Sequence, residues 1–199
     1  KIDVRTPEGK RVSAAQATLP LGSALRIVPA FTATAMAEDI SIETTIDVAY
    51  SPEAGRYRIA RTGHRAVGKT EESTPTVLRQ VRLGELITAA VPYCVAVVDE
   101  QIGHGTVHDL VGSGNRILPD WMATAAANAG PTGDTLELLQ IVYGIAALAG
   151  QPPMRAVATE FGIPERTATH WINKARNAGL LDGITYAVGR QPDGRSRTH

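Results

Sequence analysis

Cysteine is nearly absent from this sequence, since Cys94 is the single one among 199 residues. One thiol cannot form an internal disulfide, which excludes the disulfide-stapled folds typical of small secreted proteins. Cys94 lies in an apolar run, where a small buried side chain is the simplest interpretation. The chain begins with Lys1 instead of methionine, which leaves a removed leader open. The cytoplasm is the expected location.

Long hydrophobic runs are also missing. The longest apolar stretch, from Ala89 to Val98, contains Pro92 and is far shorter than the roughly 20 residues of a membrane helix. We therefore expect no membrane partner. With 43% apolar and 20% charged residues, the composition is that of a globular chain, which excludes collagen, coiled-coil and disorder as descriptions of the whole.

Net charge is absent as well, because twenty basic residues balance twenty acidic ones. The charges are nevertheless unevenly distributed. From Gln151 to His199 there are seven Lys and Arg residues against four acids, so the rest of the chain is net negative. Such asymmetry is typical of a basic nucleic-acid-binding module attached to a neutral or acidic one.

The N-terminal half contains strand patterns followed by helical ones. Residues Ile40 to Ala49 alternate and are rich in β-branched types, and alternation resumes in RYRIAR after SPEAG. This pattern predicts a β-hairpin across Pro52 to Gly55, with a possible short strand at Leu25 to Val28. From Ser73 to Ala90 the apolar spacing is helical and predicts one or two short helices.

Glycine and proline concentrate between Gly103 and Gly133, where only one short helical segment is indicated, near Trp121 to Ala127. Asp134 then precedes Glu137 in a variant of the capping box, which predicts a helix that ends at Gly150. Pro152 and Pro153 open the next helix.

These patterns predict an α+β fold, in which a β-hairpin-containing N-terminal lobe precedes an all-α C-terminal lobe. The N-terminal lobe, for dimerisation or partner binding, covers residues 1–102. A Gly/Pro-rich connection covers residues 103–133, and the helical lobe with its basic tail covers residues 134–199.

The residues from Met154 to Leu181 carry the functional prediction. Ala158 is small where two helices must approach closely, and Gly162 follows four residues later, where the turn requires a positive φ. The apolar positions that two crossing helices share are all occupied, by Val157, Phe161, Ile163, Ala168, Trp171 and Ile172. The stretch resembles a helix-turn-helix DNA-binding motif, with Pro164 in place of the usual serine or threonine at the start of the second helix.

The second helix leaves a polar face opposite its apolar stripe. Arginine reads guanine, asparagine reads adenine, and threonine or histidine can donate or accept, while flanking basic residues suit phosphates. A solvated helix face would also be polar, but the joint match of turn glycine, small residue and apolar positions favours DNA binding. The predicted DNA-binding residues are Arg155, Glu165, Arg166, Thr167, Thr169, His170, Asn173, Lys174, Arg176, Arg190, Arg195 and Arg197.

The C-terminal residues extend this prediction. The segment ITYAVG, residues 184–189, alternates like a strand, and three arginines follow in GRQPDGRSRTH. We expect a short wing or a loose basic arm along the phosphates or in the minor groove, with an ordinary disordered terminus as an equal alternative.

Two further segments carry a wider resemblance. Tyr50 to Ile59 reads YSPEAGRYRI, and Val77 to Val91 reads VLRQVRLGELITAAV. Together with the C-terminal helix-turn-helix, they resemble a class of actinobacterial proteins found in genomes and mobile elements. The resemblance implies this architecture and a regulatory role, but no ligand and no catalytic residues.

A phosphate-loop pattern is the main rival. Gly63 to Thr70 reads GHRAVGKT, and VAVVDE ends an apolar run with Asp99. In a nucleotide-binding protein Lys69 would contact the phosphates, and Thr70 and Asp99 would hold Mg²⁺. A phosphate loop joins a buried apolar strand to a helix. Here the strand before the pattern is polar and EESTP follows it, which is atypical of that arrangement.

Other candidates are weaker. His104 and His108 are four residues apart, but the neighbouring glycines argue against a helical metal site and favour two loop histidines. Asp120 is expected to cap a short helix, with Trp121 as a core or interface anchor. No catalytic arrangement, metal or cofactor is indicated.

The sequence thus predicts a DNA-binding transcriptional regulator, without catalysis, that binds double-stranded DNA as a homodimer. The dimer is expected to form through the N-terminal lobe or the helix from Asp134 to Ala149. The alternatives are a nucleotide-binding protein and a protein-interaction scaffold.

Overall fold

The computed structural model describes residues 2–37, 41–67, 81–99, 103–111 and 116–186. Within these ranges the chain forms eight strands and six α-helices. The strands are β1 (Ile2–Arg5), β2 (Leu19–Leu21), β3 (Leu25–Ile27), β4 (Ala30–Ala37), β5 (Ile42–Ser51), β6 (Arg56–Ala66), β7 (Val95–Asp99) and β8 (Gly103–Thr106). The helices are α1 (Leu83–Cys94), α2 (Val107–Val111), α3 (Asp120–Ala129), α4 (Gly133–Leu148), α5 (Pro153–Phe161) and α6 (Glu165–Asn177).

The first sheet is antiparallel, in the order β1-β4-β5-β6. Its β5–β6 hairpin turns across residues 52–55, so the predicted hairpin is confirmed. Alternate residues of β5 are buried, because every second side chain faces the core. On the outer face Asp47 accepts hydrogen bonds from the Thr32 hydroxyl, at 2.8 Å, and from Arg61 Nε, at 2.6 Å. Both partners lower the pKa of Asp47.

The second sheet has the order β2-β3-β7-β8, and β3 confirms the predicted short strand. Helix α1 continues through Pro92 and ends at Cys94, four residues beyond the predicted end at Ala90. Strand β7 follows it directly. The predicted helix start at Ser73 lies outside the described residues. Cys94 is fully buried, as expected, and burial raises the pKa of its thiol.

Helix α4 lies at the centre of the hydrophobic core, with twelve of its sixteen residues buried. Gly144 allows close contact with β3, because an added Cβ would lie 2.7 Å from Leu25 Cδ1. The predicted capping box at Asp134 is wrong: the Thr132 carbonyl accepts the first helical hydrogen bond, so Asp134 already lies in the first turn. There its charge complements the helix dipole. The predicted helix end at Gly150, with φ +72°, is confirmed.

The α+β class is confirmed: among the described residues all eight strands end by Thr106, and five of the six helices, α2 to α6, follow them. Residues 103–133 contain β8 and α2 in addition to the predicted helical segment, which is α3. Gly103 and Gly105 are strand residues opposite Asp99 and Val97 of β7. A loop was expected there because glycine is uncommon in strands.

Helix α3 begins at Asp120, with Pro119 and not Asp120 at the N-cap. The Trp121 side chain in its first turn is 70% exposed, so it is not a core anchor.

Candidate nucleic-acid interface

The turn between α5 and α6 contains the left-handed glycine predicted from sequence. Gly162 adopts φ +63° and ψ +33°, the left-handed conformation that glycine occupies most readily. Its N–H donates to the Thr159 carbonyl at 3.3 Å, and the N–H of Ile163 donates to the Ala158 carbonyl at 3.0 Å. These two bonds form a Schellman motif, which ends α5 and redirects the chain into α6.

Apolar side chains from both helices fill the space between them. Phe161 and Trp171 meet edge to face, with ring centroids 5.8 Å apart and an angle of 66° between the rings. Of the six positions predicted from sequence, five are buried and Ile163 is half-buried. The predicted packing of the two helices is therefore confirmed.

Nine of the predicted DNA-binding residues lie in the described part of the chain. Thr167 is half-buried, and the other eight are exposed: Arg155, Glu165, Arg166, Thr169, His170, Asn173, Lys174 and Arg176. Eight of the nine stand on α6, opposite or beside its apolar stripe, and Arg155 stands on α5. Their contacts with DNA stay a prediction. Arg190, Arg195 and Arg197 lie outside the described residues.

Two of these side chains make contacts within the protein. The Thr169 hydroxyl donates to the Glu165 carbonyl one turn earlier, at 2.9 Å, and keeps its lone pairs for an outside donor. Arg176 donates to the Tyr143 hydroxyl at 3.0 Å, and its guanidinium carbon lies 5.8 Å from the centre of that ring. Arg176 therefore joins α6 to α4 in addition to facing solvent.

Sequence reasoning missed a contact that positions α5. Glu160 is buried, and its Oε1 accepts the N–H groups of Ile117 and Leu118 at 2.9 and 2.7 Å. The guanidinium of Arg116 donates to the Glu160 carbonyl oxygen. The sequence did contain a signal for this contact, because Glu160 occupies the buried stripe of α5 between Val157 and Phe161. A carboxylate at a buried position requires hydrogen-bond partners.

The segment after α6 differs from the expected wing. Ile184 to Tyr186 form no strand, and the side chain of Ile184 is buried. Thr185 lies against the β5–β6 turn, where a Cβ added to Gly55 would come within 2.0 Å of its hydroxyl and 2.7 Å of its carbonyl oxygen. The predicted strand is therefore wrong for these three residues, and Thr185 contacts the N-terminal lobe instead. Residues 187–199 lie outside the described part.

We expect Gly55→Ala to destabilise the protein by about 2 kcal/mol, in part because an L-residue at positive φ costs about 1 kcal/mol or more. The clash with Thr185 supplies the rest. Gly9→Ala is the matched control, since Gly9 has φ +81° but open space around its Cβ position. Urea unfolding curves should show a larger loss for Gly55→Ala. Equal losses would mean that the Thr185 contact contributes nothing.

The secondary structure around the phosphate-loop pattern differs from that of a nucleotide-binding site. Gly63 to Ala66 lie within β6, paired antiparallel with β5, as the hairpin interpretation requires. Strand β7 belongs to the other sheet, between the antiparallel β3 and β8. A phosphate loop instead connects a buried parallel strand to a helix. Lys69 and Thr70 lie outside the described residues.

Both histidines of the GHGTVHD segment lie in regular secondary structure. His104 lies in β8, not in a loop, and His108 lies in α2, where its ring stacks on Tyr93 at 3.7 Å. Among the residues that the structure describes, no group of three or more His, Cys, Asp or Glu side chains could hold a metal ion.

Comparison of the chain with protein-family models, with curated proteins and with solved structures gave no match. The resemblance to actinobacterial proteins therefore stays a prediction from the residues quoted for it. In the described ranges, no helix has both the length and the apolar character needed to cross a bilayer.

Proposed function

We propose that the protein is a transcriptional regulator that binds double-stranded DNA sequence-specifically through α6 in the major groove. In this proposal it acts in the cytoplasm, without catalysis, metal or cofactor. The observation that supports it most is the combination of the Schellman turn at Gly162 with the two faces of α6. The buried stripe of this helix lies on one side and its polar face on the other. A helix supported along one side presents the other to a groove as a rigid unit.

The electrostatics of the two helices support the same function. Arg155, Arg166, Lys174 and Arg176 are exposed, against one exposed carboxylate, that of Glu165. Basic side chains on one surface supply the sequence-independent attraction to phosphates. Pro164 stands at the N-cap of α6 without a side-chain acceptor, so the first-turn N–H groups are available to a phosphate oxygen.

The expected oligomeric state follows from the small number of bases that one recognition helix can contact. A helix of thirteen residues is about 20 Å long, and only its first turns reach base edges. Specific binding by such a motif commonly needs two half-sites about 10 base pairs apart, held by a two-fold dimer. We therefore include a homodimer in the proposal.

The first test is selection from genomic fragments followed by substitution of Arg166. Enrichment of one sequence class is expected. Arg166→Ala should then weaken binding to that class by about 1 to 3 kcal/mol and relax discrimination at one base pair, because in this proposal the guanidinium reads a base edge. Fluorescence anisotropy on matched and mismatched duplexes measures both. Absence of any enrichment at low salt would contradict the proposal.

Lys174→Ala separates phosphate contacts from base contacts. We expect it to weaken all duplexes alike and to reduce the salt dependence of log K by about one ion. Lys10→Ala removes the same charge from an exposed position on the N-terminal lobe and is the matched control. If both lysine variants change the salt slope equally, α6 does not carry the phosphate contact.

A further inference from the structure

The first turn of α6 carries a carboxylate on a surface that is otherwise basic. Glu165 is the first residue of the helix and is exposed, and the exposed cations of α5 and α6 are Arg155, Arg166, Lys174 and Arg176. Within the part of the chain that the structure describes, no hydrogen bond or ion pair occupies this carboxylate. Close to DNA phosphates, an acid weakens binding unless it accepts a hydrogen bond from the DNA.

The dipole of α6 explains why an acid is tolerated at this position. The partial positive charge at the N-terminus of a helix stabilises a carboxylate in the first turn. Asp134 has the same place in α4, where it is also exposed. If the dipole were the whole explanation, neither carboxylate would influence which base sequence is bound.

Thr169, one turn further along α6, is a second hydrogen-bond acceptor on the same side of the helix. Its hydroxyl proton is used in the hydrogen bond to the Glu165 carbonyl at 2.9 Å, so its oxygen can offer an outside partner only lone pairs. Residues four apart lie on one face of a helix, about 6 Å apart along its axis. Glu165 and Thr169 are therefore a pair of acceptors, and Arg166 beside them offers only donors.

The edges of the bases in the major groove differ in the same property. Adenine and cytosine present an exocyclic amino group, whereas guanine and thymine present a carbonyl oxygen at the corresponding place. A carboxylate, or a hydroxyl that can only accept, binds the amino group and is repelled by the carbonyl oxygen. In a helix-turn-helix the N-terminal residues of the second helix are the ones that reach these edges.

We propose that Glu165 and Thr169 select two bases with an amino group, adenine or cytosine, on the DNA strand that α6 contacts. The two bases lie one or two base pairs apart, because the separation of the acceptors corresponds to at most about two steps of 3.4 Å. The inference rests on the proposed function and adds to it the chemical class of base that is bound. The carboxylate also acts by exclusion, since guanine or thymine leaves it without a donor.

Selection from a randomised duplex library tests this readout in the parent and in two nearly isosteric variants. Glu165→Gln gains an N–H that can donate to a carbonyl oxygen, so the preference for adenine or cytosine at one position should fall by about 10-fold. Thr169→Val keeps the branched shape and loses the acceptor, which should reduce the preference at a second position. Asp134→Asn removes the same charge from the first turn of α4 and should leave both preferences unchanged.

The sign of the affinity change separates base readout from simple removal of a charge. On duplexes with guanine or thymine at the selected position, Glu165→Gln should bind more tightly than the parent, and on those with adenine or cytosine it should gain nothing. An equal gain on all duplexes would overturn this inference and leave the proposed function intact. The parent's base preferences in Thr169→Val would overturn it as well. A parent that enriches no sequence contradicts the proposed function, and this inference with it.

Discussion

Replacing Trp171 with alanine is expected to lower the free energy of unfolding by about 3 to 5 kcal/mol, because it leaves a cavity where a large aromatic ring was buried. Trp171 is only 4% exposed, and its ring meets Phe161 across the two helices of the motif. Both helices should lose their fixed crossing angle together. Urea unfolding followed by circular dichroism measures the loss, and DNA binding should disappear with it.

Two variants control this prediction. Trp171→Phe keeps an aromatic ring near Phe161 and should cost clearly less than the alanine variant. Asn177→Ala changes an exposed residue in the last turn of the same helix and should stay within about 0.5 kcal/mol of the parent. An alanine variant at Trp171 that unfolds within 1 kcal/mol of the parent would contradict the packing of α6 on α5.

The features that sequence reasoning predicted correctly depend on neighbouring residues. The β5–β6 hairpin follows from alternation on both sides of a turn, and the left-handed Gly162 follows from its place four residues after Ala158 and the apolar spacing around it. The outward face of α6 follows in the same way from the period of its buried stripe. In these cases one short segment contains all the information required.

The features that were missed depend on residues far apart in sequence. Nothing near Gly103 and Gly105 indicates that β7 pairs with them, so β8 was expected to be a loop. The strand-like alternation of ITYAVG is overridden at its start by the contact between Thr185 and the hairpin turn. The exposure of Trp121 likewise depends on how α3 packs, because the same residue could have filled a core position.

Glu160 is the clearest of these distant contacts, and Glu160→Ala is expected to destabilise the protein by about 3 to 5 kcal/mol. Glu160 is 7% exposed, and its carboxylate accepts two backbone N–H groups that stand more than forty residues earlier in the chain. Hydrogen bonds to a charged acceptor contribute about 1.5 to 3 kcal/mol each, and the alanine variant leaves two amide donors without that acceptor. The link between α5 and the segment before α3 should be lost with them.

Glu160→Gln distinguishes the hydrogen bonds from the charge. Both N–H groups donate to the same oxygen, Oε1, and glutamine retains an oxygen at that position. We therefore expect the glutamine variant to keep more than half of the stability that alanine loses. Amide hydrogen exchange gives a local readout: Ile117 and Leu118 should exchange faster in the alanine variant and near the parent rate in the glutamine variant. Equal exchange rates in all three proteins would mean that Glu160 does not hold this segment against α5.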